Sequence, residues 1–343
     1  MRIRRPAVLA ATLVLAAAPI FASAVTAGGG TPTAAREAAA HRAIVAHWTE
    51  ARMRAATPRD VRFDTVRGFH ISPQAKPPVG GGGGNTTGAS WPNGKGKIYR
   101  ATGKVYFEMG GSGWVCSGTA LSDGRNTYSL VITAGHCVYD EASGGGLSGF
   151  ATNWLFIPQF DSSPTFTCGS TAYGCWTATA LVANRGFTSA GSFNNTAAKF
   201  DWGFAVVGNG GLTGAASPQL DQTVGTFGYQ FSEMGLNTVA DAFGYPAAGK
   251  YHGKDLTYCQ GPTTRDANPG TNNYKLACGM TGGSSGGPWL SGFNTTTGDS
   301  GTIQSLNSYG YSGQSFMYGP IFNSSTTATY NAANGATTNT IVP

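Results

Sequence analysis

Near its C-terminal end the chain reads GMTGGSSGGPWL over residues 279–290, and the other informative segments are best understood from this stretch. Four glycines lie within six residues there, with two serines between them. Because glycine gives the backbone freedom at an entropic cost, this density indicates an unusual turn or a close approach of a ligand. Such a turn can present Ser285 outward and aim the amides of Gly283 and Ser285 at one point. A flexible Gly/Ser loop is the alternative for this stretch taken alone.

Two further segments favour a chemical role for the serine turn. The run VITAGHC over residues 131–137 ends a strand-like apolar stretch at His136, and FDWGFAVV over 200–207 places Asp201 among aromatic and β-branched residues. A carboxylate in such surroundings is predicted to be buried, and a buried charge needs a partner. The chain order His, Asp, Ser is that of a chymotrypsin-type triad.

Several pieces carry a resemblance to a known family. They are CSGT at 116–119, TAGHC at 133–137, Asp201 in its apolar run, GYP at 244–246, GSSGGP at 283–288 and SYG at 308–310. With them the sequence resembles the secreted trypsin/chymotrypsin-like serine endopeptidases, and among these the bacterial V8-like glutamyl endopeptidases. The pieces span roughly residues 100–312, and the first hundred residues have no counterpart in the catalytic domain.

The spacing of apolar residues along the chain from Ile98 onward favours an all-β fold. Apolar and aromatic residues come in short bursts separated by Gly, Asn, Ser and Thr, without a long helical period, as in barrels and sandwiches. The resemblance makes this more specific. It implies two six-stranded antiparallel β-barrels with the active site in the cleft between them. We place the protease domain at 91–343, with barrel 1 at about 96–208, barrel 2 at about 218–335 and a crossover over 208–217.

The N-terminus has the pattern of a secretory signal. Arginines at positions 2, 4 and 5 precede an apolar core over residues 7–21, and Ala22-Ser23-Ala24 offers a cleavage site. We therefore predict a signal peptide over 1–24 and a secreted, extracellular protein. A retained membrane anchor is the alternative, although the apolar core is short for a membrane span.

Residues 25–90 are predicted to form a separate region. The alanine-rich part from Ala34 to Ala56 favours a helix, and prolines followed by the glycine run 80–84 suit a linker. We interpret 25–90 as a propeptide that assists folding or masks the site, which would make the chain a zymogen. A disordered spacer that stays attached is the alternative. His41 and His47 are predicted to be solvated surface residues.

The net positive charge of the chain comes from roughly its first quarter. The whole sequence has 22 Lys/Arg and 16 Asp/Glu, and residues 1–91 hold 11 and 4 of these, which leaves 11 and 12 for residues 92–343. The predicted domain is thus close to neutral. Its charge gives no support for nucleic-acid binding.

Six cysteines in an exported chain suggest a disulfide framework, although six allow 15 connectivities. Cys168 and Cys175 are neighbours and can close a small loop. The family resemblance implies a bridge between Cys116 and Cys137 that pins the histidine loop, and this leaves Cys259 with Cys278. A zinc site is the alternative, but no C-x-x-C is present, and we expect no metal and no cofactor.

The resemblance also implies a role for each candidate residue. His136 would be the general base, Asp201 would orient and stabilise its imidazole, and Ser285 would be the nucleophile. The amides of Gly283 and Ser285 would form the oxyanion hole. Ser284 is the rival serine, and it stands where animal relatives usually carry an aspartate. An activation ion pair at that position is therefore not expected.

Other titratable residues are weaker candidates on their local sequence. Asp241 and Asp255 lie among polar or glycine-rich neighbours and are predicted to be solvated. His252, in the run YHGK, is predicted to lie in an exposed turn.

The substrate-binding residues are also inferred from the resemblance. Gly279, six residues before Ser285, would lie near the base of the S1 pocket, with Met280 and Thr281 beside it. Because Gly279 is not acidic and Asn307 stands where glutamate-specific relatives usually have histidine, we predict uncharged P1 residues. An extended substrate would add to the edge strand formed by Ser308, Tyr309 and Gly310.

These observations predict a secreted, monomeric serine endopeptidase that acts on polypeptides, without nucleic-acid or membrane partners after signal cleavage. Two other functions remain open. One is a catalytically inactive binding protein with the protease fold, and the other is an esterase that uses the same triad.

Overall fold

The computed structural model describes residues 32–72, 86–160, 167–212 and 219–343, so the predicted signal peptide lies outside the described residues. Its helices are α1 Pro32–His47, α2 Glu50–Ala55, α3 Gly96–Ala101, α4 Arg185–Thr188, α5 Asn195–Lys199, α6 Leu220–Val224 and α7 Ser324–Gly335. None of the helices in the described ranges is long and apolar enough to cross a membrane.

Strands make up most of the regular structure. The first seven strands are β1 Thr57–Pro58, β2 Val61–Asp64, β3 Gly68–Ile71, β4 Ala89–Ser90, β5 Thr102–Met109, β6 Ser112–Leu121 and β7 Ser129–Thr133. The central ones are β8 Thr152–Pro158, β9 Trp176–Asn184, β10 Gly203–Val207, β11 Gly228–Tyr229, β12 Val239–Gly244, β13 Thr257–Pro262 and β14 Thr264–Arg265. The last are β15 Tyr274–Ala277, β16 Pro288–Ser291, β17 Thr302–Leu306, β18 Tyr309–Tyr311, β19 Phe316–Gly319 and β20 Thr340–Val342.

The first half of the domain is a closed barrel. Its strands follow the order β6-β5-β8-β9-β10-β7, and β7 pairs again with β6 to close the ring. The β5–β6 hairpin turns at Gly110 and Gly111, whose φ values of 59° and 76° suit a two-residue hairpin turn. Closure pairs β6 with β7 over Thr119–Leu121, whereas the earlier part of β6 stays open to pairing with another strand. Apolar side chains such as Val105, Val131 and Leu155 are completely buried.

The second half consists of two sheets. One follows the order β11-β17-β16-β12-β13-β4, and the other follows β14-β15-β19-β18-β2-β3. The disulfide between Cys259 on β13 and Cys278, just after β15, joins the two sheets. Their shared core contains Tyr274, Leu276 and Trp289. The all-β class predicted from the sequence is therefore confirmed, and the first half is a closed six-stranded antiparallel barrel as expected.

The described part of the region predicted over 25–90 is packed against the barrel. Helix α1 lies on β8 and β9. Its His41 is only 5% exposed and its Nδ1 lies 3.1 Å from Oγ1 of Thr177. His47 is half-buried, with Nε2 2.7 Å from Oε1 of Glu108. The prediction that these two histidines are solvated was wrong, because the helix turns this face onto the barrel.

The helix predicted over Ala34–Ala56 is present as two helices. The break falls at Trp48, whose indole is buried and donates to the carbonyl of Asn153 at 2.5 Å. Thr49 then caps α2 by accepting a hydrogen bond from the amide of Arg52. The barrel contact of Trp48 thus ends one helix where propensity alone would continue it.

Short strands of the same region extend the protease sheets. Strand β1 pairs in parallel with β6, and β2 pairs in parallel with β18. Strand β4 pairs with β13, so the residues just before position 91 belong to the second half of the domain. The boundary between residues 90 and 91 stays a prediction. We use the name leader for residues 32–72.

Three disulfides are present in the described residues. They join Cys116 to Cys137, Cys168 to Cys175 and Cys259 to Cys278, the same pairs as those discussed above from the sequence. Of the crossover expected over 208–217, residues up to 212 are described, and Gly211 bridges to Cys175. The remainder lies outside the described residues.

Candidate active site

His136 lies in a single 3-10 turn, Gly135–Cys137, directly after the buried strand β7. The disulfide from Cys137 to Cys116 ties this turn to β6. Gly135 allows a close approach, since a Cβ there would lie 3.1 Å from Oδ1 of Asp201 and from the ring of Phe187. The local sequence around the histidine is therefore fitted to place a carboxylate against it.

Asp201 precedes β10, which pairs with β7 so that Gly203 lies opposite Thr133. This register brings the end of β7 and the start of β10 together. Oδ1 of Asp201 accepts the backbone amide of His136 at 2.8 Å, and Oδ2 lies 2.8 Å from Nδ1 of the imidazole. The hydroxyl of Ser308 donates to the same Oδ2 at 2.5 Å. Three hydrogen bonds thus compensate the burial of a fully enclosed carboxylate.

The hydrogen bond to an ionised Asp201 implies that Nδ1 of His136 carries the proton, a tautomer inferred from the network. Nε2 is then the basic nitrogen. It is buried and has no hydrogen-bond partner among the described residues. The imidazole is consequently held on one side and available for proton transfer on the other.

Ser285 lies in the turn that the glycine-rich stretch forms. Gly283 and Gly286 have φ values of +96° and +83°, which side chains other than glycine rarely adopt. The carbonyl of Ser285 accepts the amide of Ser117 at 2.7 Å and lies 3.9 Å from Sγ of Cys137. These contacts place the Ser285 backbone beside the histidine turn. Ser285 is 4% exposed.

Ser284 has a structural partner instead. Its hydroxyl donates to the carbonyl of Thr281 at 2.8 Å, and the residue is buried. For Ser285, no side-chain hydrogen bond occurs within the described part of the chain. Of the two adjacent serines, Ser285 is therefore the one whose hydroxyl is not engaged in holding the turn.

The amides of the serine turn fall into two groups. Those of Ser284, Gly286 and Gly287 donate to backbone carbonyls. Those of Gly283 and Ser285 have no acceptor within the described ranges. These two donors in one turn are thus available to an external acceptor, which is what an oxyanion hole requires.

Asn307 holds the turn in place, a role that sequence reasoning missed. Its Nδ2 donates to the carbonyls of Phe243 at 2.7 Å and Ser284 at 2.9 Å, and its Oδ1 accepts Nε1 of Trp289 at 2.7 Å. Its own carbonyl accepts the amide of Gly286. The only sequence signal was its position beside Ser308. These bonds show how the turn is held without an ion pair at position 284.

The predicted S1 residues have different surroundings. Gly279 lies against Thr87, and its amide donates to the carbonyl of Thr86 at 2.7 Å. The side chain of Met280 is buried in the core of the second half. Oγ1 of Thr281 lies 3.1 Å from both the amide and the carbonyl of Ala248. The side chains of Met280 and Thr281 thus hold the backbone of this segment against the core and against Ala248.

The predicted substrate edge is occupied by the leader. Tyr309, Gly310 and Tyr311 pair with Val61, Arg62 and Phe63 of β2. Further along, Asp60 and Pro58 lie so close to Gly282 that a side chain there would collide with both. The leader therefore crosses the face of the serine turn, and His136 is completely buried.

One competing aspartate does not have the environment that the sequence predicted. Asp241 is 1% exposed, and Gln260 Nε2 donates to its Oδ1 at 2.9 Å. Burial raises the pKa of this carboxyl to about 7. The prediction of a solvated residue was wrong, because the strands on both sides of β12 cover this position. Asp255 and His252 are exposed.

A metal at the histidine turn would need free thiolates. Ligand atoms of Cys116, His136 and Cys137 lie within 4.8 Å of one another. The two sulfurs are joined in a disulfide, and the chemistry of this donor set therefore does not suit a metal ion.

No protein-family profile and no curated protein sequence matches the chain. Several solved structures are similar to the chain. The protease Anisep from Arthrobacter nicotinovorans is 37% identical, with 69% of this chain and 96% of that protein covered and a TM-score of 0.56. The thermostable serine protease AL20 from an extremophilic microorganism is 32% identical, with coverage of 70% and 99% and a TM-score of 0.58.

A glutamyl endopeptidase shares the fold at 20% identity, with a TM-score of 0.53 and coverage of 75% and 100%. The two more similar enzymes are covered almost completely at more than 30% identity. The chain therefore belongs to the trypsin/chymotrypsin-like serine proteases, among relatives from bacteria.

Proposed function

We propose that the chain is a secreted serine endopeptidase in which His136, Asp201 and Ser285 form the catalytic triad. The observation that carries this proposal is the His136–Asp201 pair, whose remaining imidazole nitrogen is buried and unpartnered beside the Ser285 turn. The substrates would be polypeptides, in line with the protease relatives.

In this mechanism Oγ of Ser285 attacks the carbonyl carbon of the scissile bond while Nε2 of His136 takes the hydroxyl proton. The tetrahedral intermediate collapses to an acyl-enzyme as Nε2 gives the proton to the leaving amine. Water then repeats the sequence and releases the acid. Asp201 keeps the imidazole in the required tautomer and stabilises its charged form. In a chymotrypsin-type protease with this triad, loss of the equivalent charge lowers kcat about 10⁴-fold.

The amides of Gly283 and Ser285 would bind the oxyanion of that intermediate. Their lack of an internal acceptor supports this role, because a donor that is already bonded would have to break that bond first. Removal of one such donor typically costs about 2.7–4 kcal/mol of transition-state stabilisation. Asn307 would keep both amides in position through its bond to Ser284.

We also propose a preference for uncharged P1 residues. The groups that contact Gly279 are backbone and side-chain atoms of uncharged residues, with Tyr251 donating to the carbonyl of Gly279 at 3.1 Å. Lys250 lies nearby, with Nζ 3.4 Å from the carbonyl of Thr87, but it is exposed. A peptide library tests this preference. Preferred cleavage after glutamate would contradict it and assign P1 recognition to Lys250.

The leader would act as a propeptide that masks the cleft until it is removed. Its pairing with β18 and its contacts at Gly282 support this role. Export is supported by the N-terminal sequence pattern. Residues 86–90 would remain with the mature enzyme, since β4 pairs with β13 and Thr86 binds Gly279.

Fluorophosphonate labelling with peptide mapping tests the triad. We expect a label on Ser285 once the leader is removed, and none in Ser285→Ala or His136→Ala. Ser284→Ala is the matched control and should still be labelled. Absence of label on folded protein without its leader would contradict the proposal and favour an inactive binding protein.

A further inference from the structure

One leader side chain is held beside the catalytic histidine by a ready-made set of acceptors. Nη1 of Arg59 donates to the backbone carbonyl of His136 at 2.6 Å. Both Nη atoms lie 3.4 Å from Oε2 of Glu141, and Nη2 lies 3.2 Å from Oδ1 of Asp140. The guanidinium is 5% exposed. A planar, forked cation is thus bound by two carboxylates and one carbonyl.

The segment that carries this arginine is bound along the edge of β6. Thr57 and Pro58 pair with Trp114 and Val115 on β6. The amide of Arg59 then donates to the carbonyl of Val115 at 3.3 Å. The guanidinium therefore enters its acceptors from a short strand that pairs with β6. From there the leader continues to β18, opposite to the chain direction of a substrate whose acyl part lies on β18, so the guanidinium alone, and not the leader backbone, stands in for a substrate side chain.

The acceptors themselves indicate that a cation belongs there. Glu141 is 4% exposed, and within the described residues Arg59 is its side-chain partner. Asp140 is more accessible, with 28% of its side chain exposed, and also accepts the amide of Ala142. When the leader leaves, Glu141 loses both this counter-charge and the cover that Arg59 provides, so that its carboxylate is accessible to another cation.

We propose that Glu141, Asp140 and the carbonyl of His136 form a subsite for a basic substrate side chain, with arginine preferred over lysine. This inference rests on the proposed function. Because β18 and Gly279 lie on the acyl side of the assigned site, the β6 edge receives residues that follow the scissile bond. The fork of a guanidinium can reach all three acceptors at once, whereas an ammonium is a point charge.

The test uses enzyme freed of its leader through a specific cleavage site inserted within residues 73–85. Quenched fluorescent peptides share one P1 residue and carry Arg, Lys, Gln or Glu at each of the three positions after the scissile bond. At one of these positions we expect kcat/KM for Arg to exceed that for Gln by roughly 10- to 100-fold, with Glu the poorest. The gain should appear mainly in KM.

The readout that assigns the subsite is the Arg-to-Gln ratio of kcat/KM within each variant. In Glu141→Gln and in the more exposed Asp140→Asn, this ratio should fall towards 1. Asp255→Asn, an exposed control, should keep the wild-type ratio. The Asp140 variant keeps the test decisive if the buried Glu141 variant does not fold.

Three outcomes separate the hypotheses. Cleavage of the Gln peptides without an Arg preference at any position would overturn the subsite while the protease function stands. An Arg preference that survives in both Glu141→Gln and Asp140→Asn would place the recognition elsewhere and would also overturn it. Absence of both cleavage and Ser285 labelling would refute the proposed function, and the subsite with it.

Discussion

Ser308 donates a hydrogen bond of 2.5 Å to Oδ2 of Asp201, the same oxygen that lies 2.8 Å from Nδ1 of His136. Ser308 directly precedes β18, so this bond connects the predicted substrate edge to the carboxylate of the proposed triad. Hydrogen bonds to charged groups contribute about 1.5–3 kcal/mol. The carboxylate that orients the imidazole is thus itself oriented from the other half of the domain.

We expect Ser308→Ala to lower kcat of the mature enzyme roughly 10- to 100-fold, because Asp201 would lose one of its three donors. Ser305→Ala is the matched control. Ser305 is equally buried, but its hydroxyl donates to the carbonyl of Pro320 at 2.8 Å. It should reduce the thermal midpoint without a comparable loss of kcat. Equal kcat in both variants would show that the Ser308 bond does not support catalysis.

Arg59→Gln should weaken the hold of the leader on the cleft. The substitution removes the charge that pairs with Asp140 and Glu141 and leaves those carboxylates facing a neutral amide. We expect fluorophosphonate labelling of Ser285 in the full-length protein to become at least about tenfold faster. Arg67→Gln is the control, because Arg67 is 63% exposed and its ion-pair partner in the described residues is the leader's own Asp64. Unchanged labelling in Arg59→Gln would show that this arginine does not hold the cleft closed.

The triad candidates could be found from the sequence because each lies in a distinctive local setting. The apolar run before His136, the aromatic run around Asp201 and the glycines around Ser285 all constrain their own residues. The all-β class could likewise be predicted from short apolar bursts separated by Gly, Asn, Ser and Thr. These are features that a window of a few residues can report.

The leader and the buried polar groups could not be predicted in this way. Whether His41 is solvated depends on Thr177, and whether Asp241 is solvated depends on the strands that flank β12. The pairing of Val61 with Tyr309 joins positions almost 250 residues apart. Alternation within a two- to four-residue strand does not identify its partner.

Asp266 is expected to stabilise the strand that would receive the substrate. Its Oδ2 accepts the hydroxyls of Tyr309 at 2.7 Å, Tyr311 at 2.9 Å and Thr271 at 2.6 Å. Burial, and then the charge of Asp266, raises the pKa of Tyr309. Both tyrosines therefore stay neutral donors, and one buried carboxylate ties β18 to the segment after β14.

Asp266→Asn should lower the free energy of unfolding by about 1–3 kcal/mol, because a neutral amide replaces a charged acceptor. In the mature enzyme KM should rise several-fold with a smaller change in kcat, as β18 would bind the peptide backbone rather than the reacting atoms. Asp299→Asn, an exposed aspartate at the amide of Lys97, is the control. A loss confined to kcat would instead place the effect of Asp266 at the triad.

Asp241 should make the protein less stable as the pH rises. Burial raises its pKa in the folded protein from the ordinary value of 3.8 to about 7. Between these two values the folded protein retains a proton that the unfolded chain releases. Stability therefore falls as the pH rises through this window, and the full penalty applies above pH 7.

Asp241→Asn should remove this penalty, because the amide oxygen can still accept Nε2 of Gln260. We expect the thermal midpoint of the variant to match that of the wild type near pH 4 and to exceed it at pH 8. The free energy of unfolding at pH 8 should be higher in the variant by up to about 4 kcal/mol. Burial also lowers the pKa of Lys104 to about 7. Its titration changes stability only above pH 7, and it does so equally in the wild type and in Asp241→Asn. Asp255→Asn, at an exposed site, should shift the midpoint at neither pH. A constant difference between wild type and Asp241→Asn from pH 4 to 8 would mean that Asp241 does not titrate in this range, and that the variant acts through packing alone.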